Sequence, residues 1–166
     1  VIDHSGSMGG DPMAHALAAA DQVLSKLRED DKINVIIFDD TVDKLYAEPK
    51  LATKDVIAEA KDYVSKVQSA GGTEIALALD SALAAQIVDD RPDVILFMTD
   101  GQSDAQKALE VAKADKGDAR VFTIGIGTGV EKPLLSRLAS EKRGRFTFIP
   151  DDASIETGVV QVFDQV

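Results

Sequence analysis

The sequence has no cysteine and only two histidines among its 166 residues, and aromatic residues make up 5% of it. Without cysteine there is no disulfide framework, thiolate nucleophile or Cys-ligated zinc site, although this excludes mechanisms rather than compartments. A Ser–His hydrolase would have to combine Ser5 or Ser7 with His4 or His15, and no Gly-x-Ser-x-Gly elbow is present. Long apolar runs are also missing, since none reaches the roughly 18 residues of a membrane span, so this segment is not expected to insert into a bilayer. Positive charge is scarce: 18 Lys and Arg stand against 29 Asp and Glu, a formal charge of −11. Such a surface repels nucleic-acid phosphates and anionic membranes, which leaves cations and mixed-charge protein surfaces as the better partners.

An initiating methionine is absent too, and Val1-Ile2-Asp3 reads as the end of a buried strand whose beginning is missing. The expectation is one domain over residues 1–166, truncated within its first strand and cut from a longer protein. With 45% hydrophobic residues, the chain has enough apolar material for one compact core.

Short apolar runs alternate with stretches of helical spacing, the rhythm of a sheet covered by helices on both faces. Strands are expected at Val1–Asp3, Ile33–Phe38, Val42–Tyr46, Val94–Met98, Val121–Ile126 and Phe146–Ile149. Met13, Leu17, Ala20, Leu24 and Leu27 mark one face of a first helix begun by Asp11 and Pro12. Further helices are expected over Lys54–Val67, Glu74–Val88, Asp104–Lys116 and Lys132–Glu141. A terminal helix through Ile155, Val159, Val162 and Val166 is capped near Asp151 or Asp152. The link Asp39-Asp40-Thr41 is too short for a helical crossover, so the strand after it must return antiparallel, at an edge. The fold class is therefore α/β, a doubly wound, mostly parallel six-stranded sheet with one antiparallel edge strand.

Ligands of such sheets collect beyond the C-terminal ends of the strands. There, Asp3-His4-Ser5-Gly6-Ser7 places oxygen-bearing side chains at alternate positions. Thr99-Asp100-Gly101 adds a carboxylate, and Gly71-Gly72-Thr73 a hydroxyl. Asp3, Ser5, Ser7, Thr73 and Asp100 are all hard oxygen donors, a set that suits Mg²⁺ best, with Mn²⁺ or Ca²⁺ as alternatives. Contact through neutral hydroxyls, with carboxylates partly held back, leaves a cation under-neutralised and open to an external carboxylate. Alternation turns His4 away from this cluster, and His15, among alanines, is expected to be solvated. Met8 and Met13 are expected to pack beside the cluster, whereas Asp39-Asp40 and Asp89-Asp90 read as loop charges. Gly125-Ile126-Gly127-Thr128-Gly129 lacks the third glycine spacing of a dinucleotide fingerprint and reads as a tight turn.

Asp-x-Ser-x-Ser at Asp3, Ser5 and Ser7, Thr73 behind two glycines, and Thr99-Asp100-Gly101 together resemble the von Willebrand factor type A domain and its metal-ion-dependent adhesion site. The stretch from Leu134 through Arg143-Gly144-Arg145-Phe146 to Asp151-Asp152 and Phe163 is similar to the inter-alpha-trypsin inhibitor heavy chain branch and its bacterial relatives. The resemblance implies that Ser5 and Ser7 bind the ion directly and Thr73 does so when ligand is bound. Asp3 and Asp100 would bind directly or through water, and a partner's Glu or Asp would take the sixth position. It implies a cation-dependent protein-binding module rather than an enzyme, monomeric as an isolated domain and placed outside the cell or in its envelope. The alternatives are a metal-dependent hydrolase or phosphoryl-transfer enzyme, and a scaffold domain with a vestigial site.

Overall fold

A computed structural model describes residues 1–85 and 92–164. In chain order the strands are β1 (Ile2–Asp3), β2 (Lys32–Ile33), β3 (Ile36–Phe38), β4 (Val42–Lys44), β5 (Lys50–Leu51), β6 (Val94–Thr99), β7 (Arg120–Ile126) and β8 (Phe146–Ile149). The helices are α1 (Asp11–Lys26), α2 (Lys54–Ser65), α3 (Ile75–Leu83), α4 (Ala105–Ala114), α5 (Lys132–Glu141) and α6 (Ile155–Phe163). Six strands form the main sheet in the order β4-β3-β1-β6-β7-β8, and only β4, at an edge, runs antiparallel to its neighbour.

The near-continuous apolar run of β6 is explained by a core on each side of it. Met98 joins Ile124, Ile2 and residues of α1, α2 and α6 in one cluster. Phe97, one position earlier and so on the other face, joins Phe38 and residues of α3, α4 and α5 in a second. The rings of Phe38 and Phe97 lie 5.3 Å apart and tilted, and both are fully buried, each worth about 1.5–3 kcal/mol of transfer free energy. From β1 the chain moves to β3 on one side and later to β6 on the other. The strand order thus reverses at β1 and β6, and the crevice beyond their C-terminal ends opens at Asp3 and Asp100.

Several local features differ from the sequence-based expectations. The strand expected over Ile33–Phe38 is broken at Asn34, whose Oδ1 accepts from Val35 N (2.9 Å) and Tyr46 N (3.1 Å) while its Nδ2 donates to Tyr46 O (2.8 Å). One side chain thereby replaces a rung of the ladder, β4 ends at Lys44, and Lys32–Ile33 pairs separately with Lys50–Leu51. The second helix closes at Ser65, and the fourth runs over Ala105–Ala114 with Asp104 as its N-cap, accepting from Gln106 N and Lys107 N. α3 ends at Leu83 and is followed by a turn at Ala84 and Ala85; the rest of that expected helix, with Ile87 and Val88, and likewise Asp89-Asp90 and Val166, lies outside the described residues.

The expectation of a solvated His15 is wrong. Its side chain is buried on α1, and its Nε2 lies 3.0 Å from Oδ1 of Asp152, in the short turn that precedes α6. Met8 and Met13 are buried beneath the loop after β1, as their apolar character implied.

Candidate metal centre

Asp3 ends β1 with a fully buried carboxylate. Its Oδ1 accepts from Ser5 N (2.8 Å) and its Oδ2 from the Thr99 hydroxyl (2.5 Å), so both oxygens are oriented while keeping further lone pairs. Thr99 Oγ1 in turn accepts from Gly101 N at 2.9 Å, and Asp100 Oδ1 accepts from Gln102 N at 3.0 Å. Burial raises the Asp3 carboxyl above the usual carboxylate range. The hydrogen bonds from Ser5 and Thr99 oppose that shift, and the negative charge of Asp100 adds to it.

The loop after β1 bends into a short 3₁₀ turn over Gly6–Met8, with Met8 N donating to Ser5 O at 3.0 Å. Ser5 is buried, Ser7 is exposed, and their hydroxyl oxygens lie 3.2 Å apart. Alternate positions do share a side here, as the spacing implied. His4 faces elsewhere: its Nδ1 is 3.0 Å from Gln68 O and its Nε2 is 4.0 Å from Asp39 Oδ2.

Thr73 reaches the same end of the sheet through its backbone. Gly6 N donates to Gly71 O (3.0 Å), Ala70 N to His4 O (2.7 Å) and Glu74 N to Asp39 O (2.9 Å). Asp40 Oδ2 accepts from Gly72 N at 2.8 Å, and Ser103 Oγ donates to Thr73 O at 2.8 Å. Gly71 sits at φ +74°, and a Cβ there would come within 2.7 Å of Asp39 Oδ2, so glycine is required by both backbone and space. The loops after β1, β3 and β6 are therefore stitched to the Thr73 loop.

Sequence reasoning named five candidate donors but missed the residues that hold their loops in place. Thr99 was legible as a hydroxyl ending an otherwise apolar strand, a position where a buried polar group needs a partner. Asp39 and Asp40 are more than loop charges, since they hold the Gly71-Gly72 turn. Ser103 gave no local signal, because its partner is 30 residues away.

The donor chemistry fits a hard divalent cation: carboxylate and hydroxyl oxygens meet at the strand ends with no sulfur or imidazole among them. Among the described residues no group of three or more His, Asp or Glu could hold a metal, so an ion here would depend on hydroxyls as well as Asp3 and Asp100.

An open, mostly parallel sheet flanked by helices, with oxygen-bearing side chains on the loops at its strand-order reversal, defines a doubly wound α/β domain. The chain belongs to the von Willebrand factor type A domain family, whose model matches residues 1–163. A von Willebrand factor A domain-containing protein of Dictyostelium discoideum is 32% identical over 165 residues, covering 98% of this chain and 18% of that protein. Inter-alpha-trypsin inhibitor heavy chain H2 of Mus musculus is 31% identical over 181 residues, covering 100% of this chain and 19% of that protein. The chain thus spans about a fifth of the length of these curated relatives.

Solved structures share the fold. A von Willebrand factor type A protein from Catenulispora acidiphila superposes with a TM-score of 0.82 at 21% identity, over 97% of this chain and 40% of that one. Manganese-loaded TRAP protein of Plasmodium vivax gives 0.74 at 19% identity, over 99% and 71%. Proximal thread matrix protein 1 from the mussel byssus, with a zinc-occupied MIDAS motif, gives 0.69 at 21% identity, over 95% and 43%.

Proposed function

We propose that this domain is a divalent-cation-dependent protein-binding module in which Asp3, Ser5, Ser7, Thr73 and Asp100 hold the ion and a partner supplies a Glu or Asp carboxylate. The observation that carries this reading is the buried Asp3 carboxylate, fixed by Ser5 and Thr99 beside the Ser5–Ser7 hydroxyl pair at the sheet's reversal point. The bound cation would supply Lewis acidity toward an incoming carboxylate. Ser5 and Ser7 offer neutral oxygens, and the hydrogen bonds from Ser5 N and Thr99 Oγ1 spread the charge of Asp3. Those features leave a divalent ion with residual positive charge, which selects an anionic partner group over a neutral one.

Mg²⁺ is the ion favoured by a compact oxygen shell, with Mn²⁺ or Ca²⁺ as substitutes. The manganese and zinc held by two structural neighbours support a divalent ion in general. Binding rather than catalysis is supported by the engagement of His4 and His15 with Gln68, Asp39 and Asp152, away from the two serines. No helix among the described residues is long and apolar enough to cross a membrane. We assign the domain to a longer secreted or surface-anchored protein, extracellular or in the cell envelope, and monomeric when isolated.

Thermal melts with Mg²⁺, Mn²⁺ and EDTA test the reading. Metal that binds only the folded state raises stability by about 2.7 kcal/mol at a hundred times its dissociation constant. The wild type should shift and Asp100→Ala should not; an equal shift in both, or none in either, rejects the site.

A further inference from the structure

Asp100 is followed by glycine, and the fold demands it. Gly101 sits at φ +81°, and a Cβ there would come within 3.1 Å of Glu131 Cβ and 3.3 Å of Leu135 Cγ. An L side chain is strained there by the backbone and crowded by its neighbours. Asp100-Gly101 is also the only Asp-Gly junction in the sequence. Such a junction carries its own chemistry, because with no Cβ in the way the glycine nitrogen can reach the carboxyl carbon of the aspartate before it. The Gly101 nitrogen gives up its proton and bonds Asp100 Cγ, and one carboxyl oxygen leaves as water, closing a cyclic imide. Water then adds to either imide carbonyl. Opening at Cγ restores aspartate; opening at the main-chain carbon leaves the chain running through Cγ as isoaspartate, with no net change in composition.

In the folded chain the first step is opposed from several sides. Gly101 N donates to Thr99 Oγ1 at 2.9 Å, so the proton that must be lost is already engaged. Thr99 sends its own hydroxyl proton to Asp3 Oδ2, which leaves its oxygen free to accept. Asp100 Oδ1 accepts from Gln102 N at 3.0 Å and Asp100 O from Glu131 N at 2.8 Å, which fixes the residue by side chain and main chain together. Asp100 and Gly101 are both buried, away from the water that would take up the proton and open the imide. Of these features, the Thr99 bond is the one that acts on the attacking nitrogen.

We propose that Asp100-Gly101 is a latent isoaspartate site, held closed in the folded chain by the Thr99 hydroxyl. The group that orients Asp3 thereby also guards the neighbouring peptide bond. Isomerisation adds one carbon to the main chain and leaves the free carboxylate directly on Cα. Where the proposed metal site holds, that change removes Asp100 from the donor set; the chemistry itself stands whether or not a metal binds.

The test incubates the chain and its variants at neutral pH in EDTA, in water enriched in heavy oxygen, and follows residue 100 by peptide mass spectrometry. Each opening of the imide takes up one solvent oxygen, and isoaspartate peptides separate from aspartate ones. Losing one buried hydrogen bond raises the population of the opened loop about tenfold, so Thr99→Val should gain label and isoaspartate at Asp100 about tenfold faster than wild type. Thr99→Ser, which keeps the hydroxyl, should stay near the wild-type rate. Val162→Ala, which lowers stability by a cavity in the core under α6, should stay near it too. Equal rates in Thr99→Val and wild type would overturn the proposal. So would a rise of the same size in Val162→Ala, which would mean that overall opening governs the site. Label at Asp80-Ser81, inside α3, equal to that at Asp100 would overturn it as well. With no metal in the sample, none of these outcomes depends on the metal site.

Discussion

Thr99 donates its hydroxyl to Asp3 Oδ2 across 2.5 Å, joining the ends of β6 and β1 at the point where the sheet's strand order reverses. The bond does two things. It satisfies a carboxylate oxygen that no solvent reaches, and it fixes the orientation of the other oxygen, which Ser5 N holds.

Thr99→Val keeps the shape and removes the hydroxyl. Asp3 loses a donor and Gly101 N loses its acceptor, both buried, so metal-free stability should fall by about 1–3 kcal/mol. Urea denaturation in EDTA measures this, and a Mg²⁺ titration of the same variant should show weaker binding. Unchanged stability would mean that neither Asp3 Oδ2 nor Gly101 N depends on the Thr99 hydroxyl.

Asp100→Asn separates the cost of the site from its use. The negative charge of Asp100 disfavours ionised Asp3, while an Asn oxygen can still accept from Gln102 N. The variant should therefore melt at a higher temperature than wild type in EDTA and lose the rise that Mg²⁺ gives. A lower melting temperature in EDTA would show that Asp100 is held chiefly by structural bonds.

The sheet could be read from the sequence, and five candidate donors named, because both rest on local pattern. The apolar run Val94–Met98 can only be a doubly covered strand, and Asp39-Asp40-Thr41 can only turn the chain back. What escaped depends on long-range partners. Asn34 breaks a strand because Tyr46 is beside it, and His15 is buried because Asp152, 137 positions later, arrives over it. The stitching of the Thr73 loop by Asp39, Asp40 and Ser103 was hidden for the same reason.

Tyr46 gives the fold an alkaline limit. It is buried, and desolvation followed by its 2.7 Å bond to Glu59 Oε2 raises its pKa from 10.0 to about 12. Between these values the folded chain holds a proton that the unfolded chain has released, so stability falls as pH rises. The contribution is complete below pH 10 and gone above about 12. Denaturation midpoints across that window should decline in wild type and decline less in Tyr46→Phe, which cannot ionise there.

Gly71→Ala tests the stitching itself. At φ +74° an alanine is strained, and its Cβ would press on Asp39 Oδ2 at 2.7 Å and Asp39 Cβ at 3.1 Å. The loop must then move, loosening the bonds from Gly6 N to Gly71 O and from Glu74 N to Asp39 O that hold Thr73 near the other donors. We expect a loss of about 1 kcal/mol or more in EDTA, the size of alanine at a positive-φ site. Metal affinity should fall further than stability does, because Thr73 is displaced and the Ser5–Ser7 loop loses its anchor through Gly6 N, while the bonds of Asp3 and Asp100 are left in place. Calorimetric Mg²⁺ titration measures that second effect; wild-type affinity in a destabilised variant would remove Thr73 from the ligand set and leave the other four.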